Sequence, residues 1–263
     1  LKGKINKDFL LSSYLCHPSM ANNELSGPLV LLGLHNRIKN WKERQYNFKF
    51  LINPETIGSL CYLHKFKNSI KKTLGAGLVL TCLGGPNSKV SLKKTKDKET
   101  DLNKFIELFE KKKLFKARDY DPITGSDERQ YCSPGFNLPV GQAARTIYRQ
   151  YKEYHTSLDN KNFMNIKKIL NSINELEFFL NVFDKLNGKI IRKNKYGEVF
   201  LEKFGLYKNK NSNDLTKSII YILSCGERKN ELIDLIIEKK LNIKTILKAV
   251  QVLKFNKIIK IQK

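Results

Sequence analysis

The sequence has no CxxC pair, and its five cysteines (Cys16, Cys61, Cys82, Cys132, Cys225) are odd in number and widely spaced. That pattern argues against a zinc ribbon and against a disulfide framework. Buried free thiols in a reducing cytoplasm are expected instead. No apolar run approaches the roughly 20 residues that span a bilayer, so no membrane partner is expected. No signal peptide is recognisable, and the chain opens on Leu1-Lys2-Gly3-Lys4 rather than on Met. It therefore reads as a piece lacking its N-terminal part. Acidic residues are scarce, 25 Asp and Glu against 49 Lys and Arg, which leaves a net charge of +24. Such a balance fits a polyanionic partner, but the lysines are spread along the chain rather than gathered into a basic stripe. Compositional bias is the favoured account of them, and the charge predicts solubility and nothing more specific.

What the sequence does have is a core. Hydrophobic residues make up 41%, including 15 Phe and 11 Tyr, and 263 residues suit one large domain followed by a small one. Phe9–Leu15 is a β-prone run ending at Cys16-His17-Pro18, where Pro18 keeps His17 out of the helical region. A helix with proline at its entry follows from Pro28 to Ile38. Phe48–Ile52 is the next strand, closed by Asn53-Pro54-Glu55. Ser59–Ser69 is helix-like, and Ala76–Cys82 is a third strand closed by Gly84-Gly85-Pro86. Strand, helix, strand, helix, strand predicts an α/β fold with a largely parallel sheet covered by helices on both faces. Ligands in such sheets bind at the carboxyl ends of strands. His17, Glu55 and Thr81-Cys82 all fall there.

Residues 87–100 read as a polar loop or edge hairpin, Asp101–Lys113 as a helix, and 163–186 as a long covering helix. Between them, Ala117–Gly141 is punctuated by Pro and Gly and is richer in polar and aromatic groups than a connector needs. Asn187–Lys210 reads as a linker with some strand character. Helices over Leu215–Ser224, Lys229–Glu238 and Ile243–Val252, then a strand at Ile258–Ile261, suit a small winged helix-turn-helix. Its recognition helix offers Lys244 and Lys248 for phosphates but no Arg, Asn or Gln within Ile243–Val250 to read bases. Nucleic acid is thus one candidate partner of this part, and protein–protein packing is the other.

Of the four histidines, His35 and His64 fall inside predicted helices, where an ordinary surface or core role is the default. His17 and His155 sit in polar loops accompanied by Glu24, Glu55, Asp127 and Glu128. A hydrolytic zinc needs this combination: imidazole and carboxylate ligands, plus a Glu to take a proton from water. Asp127-Glu128-Arg129 could equally be a structural ion-pair node. Cys132 is tempting as a nucleophile, but a buried thiol is the favoured reading.

Four long segments taken together, His17–Gly27 (HPSMANNELSG), Asn53–Ser59 (NPETIGS), Asp127–Pro139 (DERQYCSPGFNLP) and Glu153–Asn160 (EYHTSLDN), resemble a bacterial family of aminopeptidase-like proteins associated with polysaccharide biosynthesis. Members carry a C-terminal winged helix and are related to the zinc aminopeptidases and glutaminyl cyclase. The resemblance implies a zinc-aminopeptidase-like fold for 1–186, lacking its N-terminal part, a linker at 187–213 and a winged helix-turn-helix at 214–263. It implies His17 and His155 as zinc ligands and Glu55 as general base, acting on a peptide or small amide substrate. Three positions depart from the two-zinc pattern. The bridging Asp falls on Asn23, with Glu24 beside it; the second Glu of the pair falls on Thr56; the Asp after the third strand falls on Thr81. Amide and hydroxyl groups bring no charge to offset the cation, so two zincs are not expected. One zinc on His17, His155 and either Glu24 or Asp127 is one alternative, and no metal at all is the other. Asn23, Glu128, Arg129 and Tyr131 are expected to bind substrate or support the site.

Overall fold

A computed structural model describes residues 1–207 and 214–263. Residues 208–213 of the expected linker lie outside the described residues. The chain forms two compact units, Leu1–Leu180 and Asn181–Lys263.

In the first unit, β1 (Asp8–Tyr14) is buried along its whole length. Neither face reaches solvent, as in a parallel strand sandwiched between helices. It pairs in parallel with β2 (Asn47–Asn53) on one side and β3 (Leu74–Leu80) on the other. The helices α1 (Ser26–Lys39) and α2 (Ile57–Thr73) make the two crossovers. Successive β1 side chains point to opposite faces. Leu10 and Tyr14 pack with Leu63 and Ile70 of α2. On the other face Gly27 brings α1 so close that a Cβ there would collide with Ser13 Oγ and the Leu80 carbonyl. Phe9 stacks on Phe48, and Trp41 meets Phe48 edge-on.

The sheet has six strands in the order β2-β1-β3-β6-β4-β5, with β4 (Ser91–Lys93), β5 (Lys116–Arg118) and β6 (Val140–Ala144) completing it. β6 is parallel to β3, while β4 runs antiparallel to β6. The sheet is therefore mostly parallel, as the alternation of elements predicted. Residues 87–100, expected as a loop or edge hairpin, instead contribute β4, an interior strand. Lys93 hid it: its ammonium is fully buried, 3.1 Å from Glu128 Oε1 and 2.8 Å from the Asp121 carbonyl. A buried charge needs such partners to persist. α3 (Asp101–Lys111) is capped by the Thr100 hydroxyl, which accepts from the Asn103 amide. Its Phe109 packs against Phe115, Phe178 and Phe179. Phe178 and Phe179 lie on α5 (Ile166–Leu186), which follows the short helix α4 (Glu128–Tyr131) in the chain. The free cysteines correct one expectation: Cys82, Cys132 and Cys225 are buried, but Cys16 and Cys61 are exposed. Cys132 donates to the Leu138 and Val140 carbonyls and packs as a core thiol.

In the second unit, β7 (Lys189–Arg192) pairs antiparallel with β8 (Ile259–Gln262). Between them run α6 (Asp214–Ser224), α7 (Glu231–Glu238) and α8 (Ile243–Phe255). β7 falls where a linker with strand character was expected. Asn242 caps α8, its side chain accepting from the Lys244 and Thr245 amides. No helix among the described residues is long and apolar enough to cross a membrane.

Candidate active site

β1 ends at Tyr14, and Leu15 and Cys16 lead to His17. The chain then turns through one π-helical turn, Ala21–Leu25, before α1 begins. Such turns are rare and recur at functional sites. Here the turn is held from outside, since the Asp159 carboxylate accepts from the Asn22 amide (2.6 Å) and the Asn23 amide (3.0 Å). Asp159 lies four residues after His155, so this clamp ties the two histidine loops together. The His17 and His155 rings lie 4.9 Å apart between centroids. His155 stacks on Tyr154 and adopts the left-handed region at φ 56°.

β2 delivers Glu55 in the same way. The Ile57 amide donates to the Glu55 carbonyl at 2.7 Å, closing a γ-turn about Thr56 at φ 62° and ψ −67°. A β-branched residue in that region is strained, and strain survives only where neighbours over-determine it. Asp127 supplies the restraint: its carboxylate accepts from the Thr56 amide (2.6 Å), the Ser59 hydroxyl (3.1 Å) and the Asn53 amide side chain (3.4 Å). Burial, with the Glu55 charge adding to it, pushes the Asp127 carboxyl up to about 6 against these lowering hydrogen bonds. The adjacent Ser126 hydroxyl donates to Glu55 Oε1 at 2.5 Å. Glu55 Oε2 is left 4.0 Å from His17 Nε2.

His17 Nδ1 faces the other way, 2.8 Å from Glu24 Oε1 and 3.1 Å from Cys16 Sγ. Glu24 is buried; it also accepts from the Cys16 amide (2.6 Å) and from Asn23 Nδ2 (3.1 Å). Thr81 and Cys82 close the floor, with Tyr14 Oη 2.6 Å from Thr81 Oγ1. Cys82 Sγ lies 3.5 Å from Asn23 Oδ1, and burial pushes its thiol up to about 12.

The geometry thus brings His17, Asn23, Glu24, Glu55 and His155 into one neighbourhood and keeps four other expected residues out of it. Asp127 is occupied in holding the start of α2 and is not part of the Cys16, His17 and Glu24 group. Glu128, fully buried, pairs with Lys93 and accepts from Gln142 Nε2 and the Ser126 amide. Arg129 turns to the Pro122 carbonyl. Tyr131 is completely buried among Leu10, Val79 and Leu138. These four support the fold beneath the site, because their polar groups find partners there or their rings fill the core. Three neighbours were not anticipated: Cys16, Ser126 and Asp159. Asp159 does lie within the Glu153–Asn160 segment, the one sequence signal among them. Among the described residues, Cys16, His17 and Glu24 bring three potential ligand atoms within 4.8 Å of one another.

This arrangement of loops at the carboxyl ends of a mostly parallel sheet has known relatives. Residues 1–186 match the family model described as a domain of unknown function, DUF4910. The chain belongs to that family. A Clostridium acetobutylicum protein, named as a candidate polysaccharide biosynthesis protein with an aminopeptidase-like domain, is 33% identical over 242 residues. The match takes in 89% of this chain and 54% of that protein. The crystal structure of a candidate peptidase from the same organism superposes with a TM-score of 0.84 at 28% identity, covering all of this chain and 59% of that one. The Bacillus subtilis zinc aminopeptidase BSAP superposes with a TM-score of 0.56 at 14% identity, over 75% of this chain and 50% of that one; this is a likeness of fold. The DUF4910 chain therefore has the aminopeptidase-like α/β architecture and spans between half and two thirds of the length of these relatives.

Proposed function

We propose that the first unit is a metallohydrolase of the aminopeptidase type, holding one zinc ion between His17 and His155 and using Glu55 as general base. The observation that carries the reading is the convergence of three loops: His17 Nε2 lies 4.0 Å from Glu55 Oε2, and the His17 and His155 rings lie 4.9 Å apart between centroids. The donor chemistry fits one zinc. Two imidazoles are borderline ligands of the kind catalytic zinc takes, and the remaining positions are left to water and substrate. Amide and hydroxyl side chains at Asn23, Thr56 and Thr81 do not supply a second charged set. Asp159 fixes the distance between the histidine loops, and Asp127 fixes the turn that aims Glu55. Ser126 holds Glu55 Oε1, leaving Oε2 to accept a proton from a water at the His17 side. Zinc in such a site supplies the Lewis acidity that brings the pKa of water to about 7. The substrate is then a peptide N-terminus or a small amide.

Elemental analysis of the purified chain is expected to find one zinc per molecule, lost in His17→Ala and His155→Ala. Glu55→Gln is expected to keep the zinc and lose about 10²–10⁴-fold in rate on an aminoacyl-anilide panel. Activity unaltered in Glu55→Gln would refute Glu55 as the base, and a metal-free chain inactive on that panel would leave the alternative, a non-catalytic binding protein that keeps the peptidase fold.

The second unit is read as a winged helix, with 187–213 as linker and 214–263 as the module. Supporting this, α8 exposes Lys244, Lys248, Gln251 and Phe255 along one face, the last 85% accessible. Two lysines with a glutamine suit phosphate and polar contacts, whereas an exposed Phe suits a protein partner. Binding to duplex DNA with no sequence preference and a steep salt dependence would reduce the nucleic-acid option to charge alone.

A further inference from the structure

We infer that Glu24 is the positioning carboxylate of His17, fixing its tautomer so that Nε2 is the nitrogen offered to a ligand, and is not itself a metal ligand. This rests on the single-metal reading above for its consequence, but not for its geometry. A carboxylate accepts hydrogen bonds and donates none, so the 2.8 Å contact between Glu24 Oε1 and His17 Nδ1 requires the proton on Nδ1. A neutral ring then carries its lone pair on Nε2, the nitrogen that faces Glu55 Oε2. Glu24 is held for the task. It is 1% exposed, Oε2 accepts from the Cys16 amide at 2.6 Å, and Oε1 also accepts from Asn23 Nδ2 at 3.1 Å. The Asn23 and Asn22 amides are in turn held by Asp159, so the turn carrying Glu24 is anchored to the loop carrying His155.

The competing arrangement puts a cation on the Nδ1 side, among Cys16 Sγ, His17 Nδ1 and Glu24, whose ligand atoms lie within 4.8 Å of one another. It would have to break the Nδ1 hydrogen bond to Glu24, and with its two oxygens already accepting three bonds that carboxylate is poorly placed to turn. It would also leave Glu55 unused on the Nε2 side of the ring. Hydrogen-bonded carboxylate–histidine pairs of the first kind orient metal ligands, and their loss weakens metal binding about 10–100-fold.

The test uses the full chain and zinc alone, with affinity read by competition against a chromophoric chelator. Glu24→Ala is expected to weaken binding about 10–100-fold, and Glu24→Gln to recover most of that, because a glutamine carbonyl still accepts from Nδ1 but is a poor ligand. Cys16→Ser is expected to change nothing. A Glu24→Gln variant as weak as Glu24→Ala would overturn the assignment in favour of direct ligation. So would a thiolate-to-metal charge-transfer band with cobalt that vanishes in Cys16→Ser. In the metal-free protein, ¹⁵N spectra of the imidazole are expected to show His17 protonated on Nδ1, with that preference lost in Glu24→Ala. A wild-type ring protonated on Nε2 would refute the inference. Because this last readout needs no metal, failure of the zinc reading and failure of the Glu24 assignment are told apart.

Discussion

Asp127 makes the fold's stability depend on pH in a direction opposite to that of most native carboxylates. Its carboxyl is raised from 3.8 to about 6, mainly by burial. The folded state therefore holds this proton more tightly than the unfolded chain does, and stability falls where the folded state binds more protons as pH rises. The contribution is fully present below pH 3.8 and is lost as pH climbs through about 6. A shift of about two units corresponds to roughly 3 kcal/mol at 1.36 kcal/mol per unit, an order-of-magnitude figure for a buried group. Other carboxylates change over the same range, so the informative quantity is the difference between wild type and Asp127→Asn. Asparagine has no proton to lose. At pH 4 the variant is expected to be the less stable, since its single oxygen cannot accept from the Thr56 amide, Ser59 and Asn53 together. Between pH 4 and 7.5 its stability relative to wild type should rise by about 2–3 kcal/mol. Urea unfolding with EDTA present, at half-unit pH steps, reads this directly. A difference that stays flat, or grows with pH in favour of wild type, would refute the burial argument.

Two further outcomes follow from the packing. Lys93→Met should cost about 3–5 kcal/mol, because it strands the buried Glu128 charge; a Lys93→Met, Glu128→Gln pair should recover part of it, measured as a double-mutant cycle in urea. Gly27→Ala should cost about 1–3 kcal/mol, since the added methyl meets Ser13 Oγ and the Leu80 backbone where α1 touches the sheet, and thermal unfolding checks it.

The sequence by itself determined the alternation of elements and therefore the sheet. Apolar runs such as Phe9–Tyr14 and Leu74–Leu80 have no soluble alternative to burial between helices, and parallel strands joined by helices place His17, Glu55 and Thr81 together at the carboxyl ends of the strands. What it did not determine is which polar side chain meets which. Asp127, Glu128, Arg129 and Tyr131 are adjacent along the chain and look alike as candidates for the site. Only the tertiary structure sends Asp127 to the start of α2, Glu128 to Lys93 and Tyr131 into the core. Lys93 reads as part of a loop or edge hairpin because a three-residue strand carrying a lysine gives little apolar signal, and its partner lies 35 residues away. The link between His17 and His155 depends on Asp159 reaching across to the Asn22 and Asn23 amides, 137 and 136 residues distant. Hydrophobic periodicity is a local property of the chain, so it survives in the sequence. Hydrogen-bond partners at such separations exist only once the sheet has brought the loops together.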